Sequence, residues 1–161
     1  TAIGSEMTAG ELHDNLMELG ASLILATVER IAIGDVKTTI QPETADLKPA
    51  NKIYKETCRI PWEASLQDIH NFIRGLSPYP AAWTHLVNGN ETAIIKIRRA
   101  SMHLESHGET TGTLHCDKNQ LLVYVENGIL ELLEVQLPGK RSMPVKDLLN
   151  GLHLANGAYV R

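Results

Sequence analysis

Two groups of basic side chains in this chain of 161 residues have the spacing needed to follow a phosphate backbone. Lys52, Lys55 and Arg59 lie three and four residues apart, so one helical turn would place them on the same side. Lys96 and Arg98 alternate with isoleucines, so on a strand both would project from the outer face of a sheet. Ammonium and guanidinium groups bind phosphate oxygens strongly. These residues are therefore candidates for contact with a nucleic-acid backbone, although solvated protein surfaces carry similar groups.

A third basic pair, Lys140 and Arg141, follows a Pro-Gly dipeptide, and a turn there would expose both side chains. The net charge of the whole chain is −4, but it is unevenly distributed. Residues 1–49 carry three basic and eight acidic side chains, whereas residues 50–161 carry twelve basic and eleven acidic ones. Because the second part is nearly neutral, binding of nucleic acid depends on where its basic residues lie.

The histidines and cysteines show no pattern of a catalytic or metal site. His103 and His107 are four residues apart, but they fall where a strand gives way to a Gly-containing loop, and no further ligand completes a set. His115 and Cys116 are neighbours on a predicted strand, so their side chains would point to opposite faces. The sequence contains no nucleophile elbow and no Gly-rich phosphate loop. We expect neither a catalytic residue nor a metal site in this chain.

The aromatic residues favour packing over base stacking. Trp62 and Trp83 flank a predicted helix and are expected to pack against it, and Tyr79, between two prolines, is expected to be structural as well. Aromatic residues make up only 4% of the chain, which does not favour a platform for stacked bases. Contact with phosphate is the better interpretation of the basic groups.

The composition is that of a globular protein from a reducing compartment. Hydrophobic residues make up 43% of the chain, enough for a core. Cys58 and Cys116 are too few for a disulfide framework, which favours the cytoplasm. No apolar run approaches the roughly eighteen residues that a membrane-spanning helix needs, and no signal peptide opens the sequence. We therefore expect a cytoplasmic protein without a membrane partner.

An amphipathic helix is predicted over residues 7–31. Thr8 and Glu11 fit a capping box, and leucines recur from Leu12 to Leu23 at helical spacing. This apolar stripe needs a partner surface that the neighbouring sequence does not supply. A polar stretch with two prolines follows and predicts a linker over 34–50.

A second helix is expected from a cap at Ser65 to Gly75, after which two prolines would set residues 81–83 in extended chain. A period of two then predicts five strands, at 82–87, 91–102, 111–116, 120–125 and 128–136. Asn-Gly pairs near residues 88 and 127 predict hairpin turns. A last helix is predicted at 144–150, with Gly151 as its C-cap. The fold class is mainly β with flanking helices, a small OB-like Greek-key barrel.

Three segments are dense in less common residue types in a fixed order. They are KIYKETCRIPW at 52–62, IHNFIRGLSPYPAAW at 69–83 and LPGKRSMPVKDLLNG at 137–151. Together they resemble the C-terminal half of the methionyl-tRNA formyltransferase family, and the resemblance covers essentially the whole chain. It implies that residues 1–33 are the last helix of the family's α/β catalytic domain, 34–50 its linker, and 51–161 an OB-like tRNA-binding domain.

In this family the first domain transfers a formyl group from 10-formyltetrahydrofolate to the amino group of initiator methionyl-tRNA, and the second binds the tRNA largely through basic residues. The catalytic Asn, His and Asp would lie before Thr1, so the resemblance implies an enzyme whose chemistry is outside this chain. No cofactor is expected within it. The implied tRNA-contact candidates are Lys52, Lys55, Arg59, Lys96, Arg98, Arg99, Lys140 and Arg141.

One departure and two alternatives qualify the resemblance. Pro61 stands where the family typically has Asp, so a side-chain acceptor and a backbone donor are absent there. The same module could serve another formyltransferase, one acting on nucleotide sugars or in folate oxidation. The chain could also be a standalone OB-type nucleic-acid-binding module, although such a module has no use for an unpaired amphipathic helix. We expect that helix to pack on the barrel or to pair with a second copy in a homodimer.

Overall fold

A computed structural model describes residues 1–43 and 47–161, so residues 44–46, inside the predicted linker, lie outside the described residues. The helices of the described part are α1 (Ala9–Ala32), α2 (Leu66–Leu76) and α3 (Val145–Leu149). Its strands are β1 (Ala82–Asn88), β2 (Glu91–His103), β3 (Leu114–Cys116), β4 (Leu121–Val125), β5 (Gly128–Gln136), β6 (Met143–Pro144) and β7 (Tyr159–Val160). A single 3-10 turn, Glu56–Cys58, precedes α2.

The strands form one antiparallel sheet that closes almost completely into a barrel. Its order is β3-β4-β5-β2-β1-β7, and β6 pairs with the end of β5. The consecutive strands β3, β4 and β5 lie side by side and β2 lies next to β5, which is a Greek-key arrangement. A bridge between Thr113 and Tyr159 joins the segment before β3 to β7, so the two sheet edges meet. The predicted fold, mainly β with flanking helices and an OB-like barrel, is confirmed.

Both predicted hairpins are present. Gly89 and Asn90 form the turn between β1 and β2, and Gly89 has a φ of +60°. Glu126 and Asn127 form the turn between β4 and β5, and Asn127 has a φ of +63°. Glycine and asparagine are the residues that tolerate this left-handed backbone, so each turn is centred on the residue that its geometry requires.

The core lies between α2 and the inner face of the barrel. Ser65 caps α2 by accepting a hydrogen bond from the backbone N–H of Asp68 at 3.1 Å. Ile69 and Ile73 on α2 are fully buried in one cluster with Ile95 and Ile97 of β2. Burying each such side chain contributes about 1.5–3 kcal/mol, so this packing fixes the register of β2 and the direction of its outer side chains.

Trp62 ties the segment before α2 to the barrel. Its side chain is 6% exposed, and its indole N–H donates to the hydroxyl of Thr84 at 2.9 Å. The Thr84 hydroxyl in turn donates to the carbonyl of Arg161 at 3.0 Å. Because the polar end of the indole is satisfied inside the core, burying Trp62 costs no hydrogen bond. Its predicted packing role is confirmed.

Several boundaries differ from the predictions. The helix α2 continues through Gly75 to Leu76, because the Leu76 side chain is itself buried. Ala81 is not extended but has a φ of +70°, and its N–H donates to the Leu76 carbonyl at 2.9 Å. β3 begins at Leu114 rather than at residue 111, because Gly112 has a φ of +88° and pairs with Val160 and Tyr124 outside any strand.

The C-terminal elements were the least predictable. β6 and β7 are two residues long, too short to show a period in the sequence, and they were not predicted. The last helix is the five-residue α3, with Pro144 before it and Asn150, not Gly151, as its C-cap.

The helix α1 contacts the barrel through its first turn. The predicted capping box of Thr8 and Glu11 is present, and the backbone N–H of Gly10 donates to the carbonyl of Ser77 at 3.0 Å. A side chain at Gly10 would collide with the ring of Pro78, so this close approach requires glycine. Arg74 adds a hydrogen bond from its guanidinium to the carbonyl of Met7 at 2.9 Å.

Beyond its first turn α1 projects from the barrel. Its large apolar side chains, among them Leu16, Leu19 and Leu23, are exposed, and none of its residues is buried. The expectation that the leucine stripe packs on the barrel is therefore wrong for the described residues. Pairing of α1 with a second copy stays a prediction. None of the described helices is both long and apolar enough to cross a membrane.

Candidate nucleic-acid interface

Trp83 organises two cations on the outer face of the barrel. It lies on β1, half-buried, and its indole N–H donates to the backbone carbonyl of Lys55 at 2.7 Å. The Lys55 ammonium and the Arg59 guanidinium carbon each lie 6.0 Å from the centre of the indole ring. That distance is at the outer limit of a cation–π interaction. We call Lys55, Arg59 and Trp83 the Trp83 cluster.

The local fold explains why these two cations meet one ring. Lys55 and Arg59 flank the 3-10 turn Glu56–Cys58, whose last residue is buried. The backbone N–H of Ile60, the residue after Arg59, donates to the Trp83 carbonyl at 2.9 Å. The turn is therefore fixed to the barrel on both sides of its exposed charges. Lys52 lies elsewhere, with its ammonium 5.3 Å from the ring of Tyr54, so the structure does not bring all three predicted cations together.

Lys96 is the neighbour of Trp83 across the β1–β2 ladder, and it pairs with Gln136 on the other side. It lies on the outer face, as its alternation with isoleucine predicts. Its ammonium donates to the carbonyl of Pro80 at 3.1 Å. Because an ammonium group has three donors, Lys96 can make this bond and still bind an anion.

Arg98 faces a different environment from Lys96, although only one residue separates them. The β2–β5 register shifts between Ile97 and Arg99, which marks a β-bulge. The Arg98 guanidinium donates to the carbonyl of Pro78 at 2.7 Å and to the side-chain oxygen of Gln136 at 3.0 Å. Arg98 and Lys96 together therefore hold the loop of residues 77–81, which we call the proline loop.

Arg99 forms an ion pair with α1. Its guanidinium donates to the Glu11 carboxylate at 2.6 Å, and both side chains are about half exposed. The pKa of Glu11 lies below its usual range because the carboxylate accepts hydrogen bonds from Thr8, with a smaller contribution from the Arg99 charge. Arg99 thus reinforces the cap of α1.

Lys140 and Arg141 lie in the loop after β5. The turn closes through a bond from the Lys140 N–H to the Leu137 carbonyl at 3.1 Å, and the amide of Gln136 donates to the Lys140 carbonyl at 2.8 Å. Both basic side chains are exposed, as predicted. Among the described residues neither takes part in an ion pair.

Tyr79 was expected to be structural, and that expectation is wrong. Its side chain is 84% exposed at the tip of the proline loop. The reason is that the loop is held through its backbone: the carbonyls on either side, those of Pro78 and Pro80, are bonded to Arg98 and Lys96. The ring is therefore not needed as an anchor.

The histidines have structural partners. His103 contacts the Glu131 carboxylate at 2.9 Å, and the Nε2 of His107 lies 2.9 Å from the carbonyls of both Val125 and Gly128. The buried His70, to which the sequence assigned no role, bonds the Ala100 carbonyl at 3.1 Å. No group of three or more potential metal ligands comes together within the part of the chain that the structure describes.

Cys116 does not have the environment of a nucleophile. Burial, with a smaller contribution from the charge of Asp117, raises the pKa of its thiol. A raised pKa keeps the thiol protonated at neutral pH, and the thiolate is the reactive form.

Comparison with known proteins decides the family. Residues 52–153 match the model of the formyl transferase C-terminal domain. The chain belongs to this family. The matched range includes every predicted basic contact from Lys52 to Arg141, and it excludes α1 and β7.

Curated relatives extend the similarity over almost the whole chain. The chain is 45% identical over 159 residues to the methionyl-tRNA formyltransferase of Flavobacterium johnsoniae, covering 99% of the chain and 50% of that relative. It is 45% identical over 148 residues to the enzyme of that name from Bacteroides fragilis, covering 89% and 46%. For the Porphyromonas gingivalis (strain W83) relative the figures are 37% over 164 residues, 98% and 51%. The chain spans about half the length of the curated relatives it matches.

Trp83 and Gln136 are the two residues that sequence reasoning undervalued in this formyl transferase C-terminal domain. Trp83 was expected only to pack, yet it also positions Lys55 and Arg59. Gln136 accepts from Arg98 and donates to the Lys140 carbonyl, and so links two basic groups. The sequence feature that could have indicated this role is the alternation of buried residues along β1, which places Trp83 on the outer face of the barrel.

Proposed function

We propose that the chain is the C-terminal portion of a methionyl-tRNA formyltransferase, the enzyme that transfers a formyl group from 10-formyltetrahydrofolate to the amino group of initiator methionyl-tRNA. The names of the relatives, all methionyl-tRNA formyltransferases, support this proposal over a formyltransferase acting on nucleotide sugars or in folate oxidation. The enzyme would act in the cytoplasm during translation initiation. Its partners would be the tRNA and a catalytic domain outside this chain.

The role proposed for this portion is to bind and position tRNA through basic residues. The observation that carries it is the Trp83 cluster, where Lys55 and Arg59 are fixed at one exposed site without a carboxylate partner among the described residues. Lys96 lies beside it across the β1–β2 ladder. Cations held in place and not neutralised are suited to phosphate.

These contacts would be to phosphate rather than to base edges. Contact with phosphate positions a nucleic acid but carries no sequence information. Initiator and elongator tRNAs should therefore bind this portion equally well. Lys52, Lys140 and Arg141 are exposed and stay candidates. Arg98 and Arg99 were also predicted as contacts, but their side chains are engaged within the protein and we expect them not to bind phosphate.

A titration of the chain with initiator and elongator tRNA at several salt concentrations tests this proposal. We expect weak binding whose logarithm falls linearly with log salt, with a slope of about 0.7–0.9 per phosphate contact. A formylation assay on the same sample should give no turnover, because the family's catalytic residues are expected outside this chain. Absence of tRNA binding at low salt would refute the binding role, and turnover that survives repurification would refute the assignment of the chemistry to another domain.

A further inference from the structure

A cleft of about 490 Å³ opens beside the Trp83 cluster. One wall is the outer face of β2, and the other is the loop after β5. Its principal lining residues are Lys55, Thr92, Ile94, Lys96, Leu137 and Pro138. The volume falls within the range of about 300–1,000 Å³ typical of sites for small organic ligands.

The lining combines an apolar surface with positive charge. Ile94, Leu137 and Pro138 supply the apolar part, and the ammonium groups of Lys55 and Lys96 supply two charges. No Asp or Glu of the described residues lines the cleft. A ligand with an apolar face joined to an anion complements this lining, and a nucleotide has that chemistry.

Both lysines are held in place and keep donors for a ligand. The backbone of Lys55 is fixed by the bond from Trp83, and the Lys96 ammonium by its bond to the Pro80 carbonyl at 3.1 Å. Each ammonium has three donors, so Lys96 retains two. Ordering of the Lys96 ammonium and of the Lys55 backbone before binding lowers the entropic cost of binding an anion.

The side-chain amide of Gln136 at the edge of the cleft is not available for reading a base. Gln136, at its edge, accepts from Arg98 at 3.0 Å and donates to the Lys140 carbonyl at 2.8 Å, so both ends of its amide are engaged. Every base has a face that can lie against an apolar surface, so the aliphatic wall should not prefer one base over another.

We propose that this cleft binds one unpaired nucleotide of RNA, with the base against Ile94, Leu137 and Pro138 and the phosphate at Lys55 and Lys96. This inference rests on the proposed tRNA binding and specifies it further: the chain recognises an unpaired position in the tRNA, not only its backbone charge. Base-paired RNA offers phosphates but no free base face, so it would use the lysines alone.

The test compares a single-stranded RNA carrying 2-aminopurine with a fully base-paired RNA of the same charge. The variant is Ile94→Ser, which removes the apolar wall and keeps every charge. The matched control is Leu133→Ser, because Leu133 is an exposed leucine on β5 outside the cleft. A thermal melt of each variant confirms that it is folded.

We expect Ile94→Ser to weaken single-strand binding about tenfold, because the variant loses most of the apolar surface that the isoleucine would bury against the base, without changing the salt slope. Its affinity for the paired RNA should be unchanged, and the Leu133→Ser protein should match the wild type. The 2-aminopurine signal should change on binding to the wild type and not to the variant.

The outcomes separate this inference from the proposed function. If Ile94→Ser binds both RNAs like the wild type, the cleft is not a base site although tRNA binding stands. If the wild-type chain binds neither RNA at low salt, the proposed function fails and this inference fails with it. Should Ile94→Ser unfold, the wild-type chain is tested by competition instead. Adenosine monophosphate and ribose 5-phosphate are added separately to its complex with the labelled single strand, and displacement of the strand is measured. Displacement of the labelled strand by the nucleotide alone supports the inference, and equal displacement by both overturns it.

Discussion

The two sets of basic residues on this barrel differ in what their charges contact. In the Trp83 cluster, Lys55 and Arg59 lie over an aromatic ring and their charges face solvent. At the proline loop, Arg98 donates to a carbonyl and to a side-chain amide, and Arg99 pairs with a carboxylate. Both sets consist of basic side chains. Those of the first set are exposed to a ligand, and those of the second are bound to acceptors within the protein.

Lys96 stands between the two sets. It pairs with Trp83 across the ladder and also bonds the Pro80 carbonyl. Neighbouring basic residues on one strand therefore need not share a function. A β-bulge separates Lys96 from Arg99. The role of each side chain depends on which acceptor the fold places beside it.

Replacement of Arg98 should have the largest effect on stability. Arg98→Met keeps most of the side-chain volume but leaves the Pro78 carbonyl and the Gln136 oxygen without their donor. We expect a loss of about 2 kcal/mol in the free energy of unfolding, because hydrogen bonds to charged groups contribute about 1.5–3 kcal/mol each and one of these is exposed. Urea denaturation measures it.

Arg59→Met is the matched control for Arg98→Met, because among the described residues the Arg59 guanidinium has the indole ring but no hydrogen-bonded acceptor as a partner. Its loss should be about 0.5 kcal/mol. Equal losses for the two variants would remove the distinction between the two sets.

Replacement of Lys96 should have an intermediate effect that sharpens the comparison. Lys96→Met removes one bond, that to the Pro80 carbonyl, so we expect a loss of about 1 kcal/mol in the free energy of unfolding. Because Lys96 also faces the cleft, the same variant should bind tRNA more weakly and with a salt slope smaller by about one. A change in stability without a change in the salt slope would mean that Lys96, like Arg98, contacts only the protein.

The smallest effect concerns the pair of Glu11 and Arg99. The folded-state pKa of Glu11 lies below that of an ordinary glutamate. The stability that this group contributes is therefore present above the ordinary pKa and is lost as pH falls through the folded-state pKa. We expect Glu11→Gln to weaken the dependence of the unfolding midpoint on pH below about 4.5. An unchanged pH profile between pH 5 and pH 2 would show that the cap of α1 does not depend on this carboxylate.

The elements of the barrel were predictable because local patterns determine them. Alternating isoleucines placed Lys96 on the outer face, and glycine or asparagine marked both hairpin turns. The partners of the basic residues were not predictable, because they come from distant segments. The carbonyls that Lys96 and Arg98 bind are 16 and 20 residues earlier in the chain, and their loop is positioned by Ser77 and Ala81.

The roles of Trp83 and Tyr79 were harder to predict for the same reason. A tryptophan next to a helix packs in most proteins. The bonds from Ile60 to the Trp83 carbonyl and from the Trp83 indole to the Lys55 carbonyl bring Lys55 and Arg59 to this ring. A tyrosine between two prolines has a fixed backbone, but its exposure depends on the donors that bind the neighbouring carbonyls.

We expect Lys55 and Arg59 of the Trp83 cluster to bind phosphate, and Arg98 and Arg99, which bind acceptors within the protein, not to bind it. The most direct test is the salt dependence of tRNA affinity for three double variants. They are Lys55→Ala with Arg59→Ala, Arg98→Met with Arg99→Met, and Lys118→Ala with Lys146→Ala as a charge-matched control at exposed sites. We expect the slope of log affinity against log salt to be smaller by about one to two units for the first variant and unchanged for the other two. A reduced slope for the Arg98 and Arg99 variant, with none for the Lys55 and Arg59 variant, would contradict it.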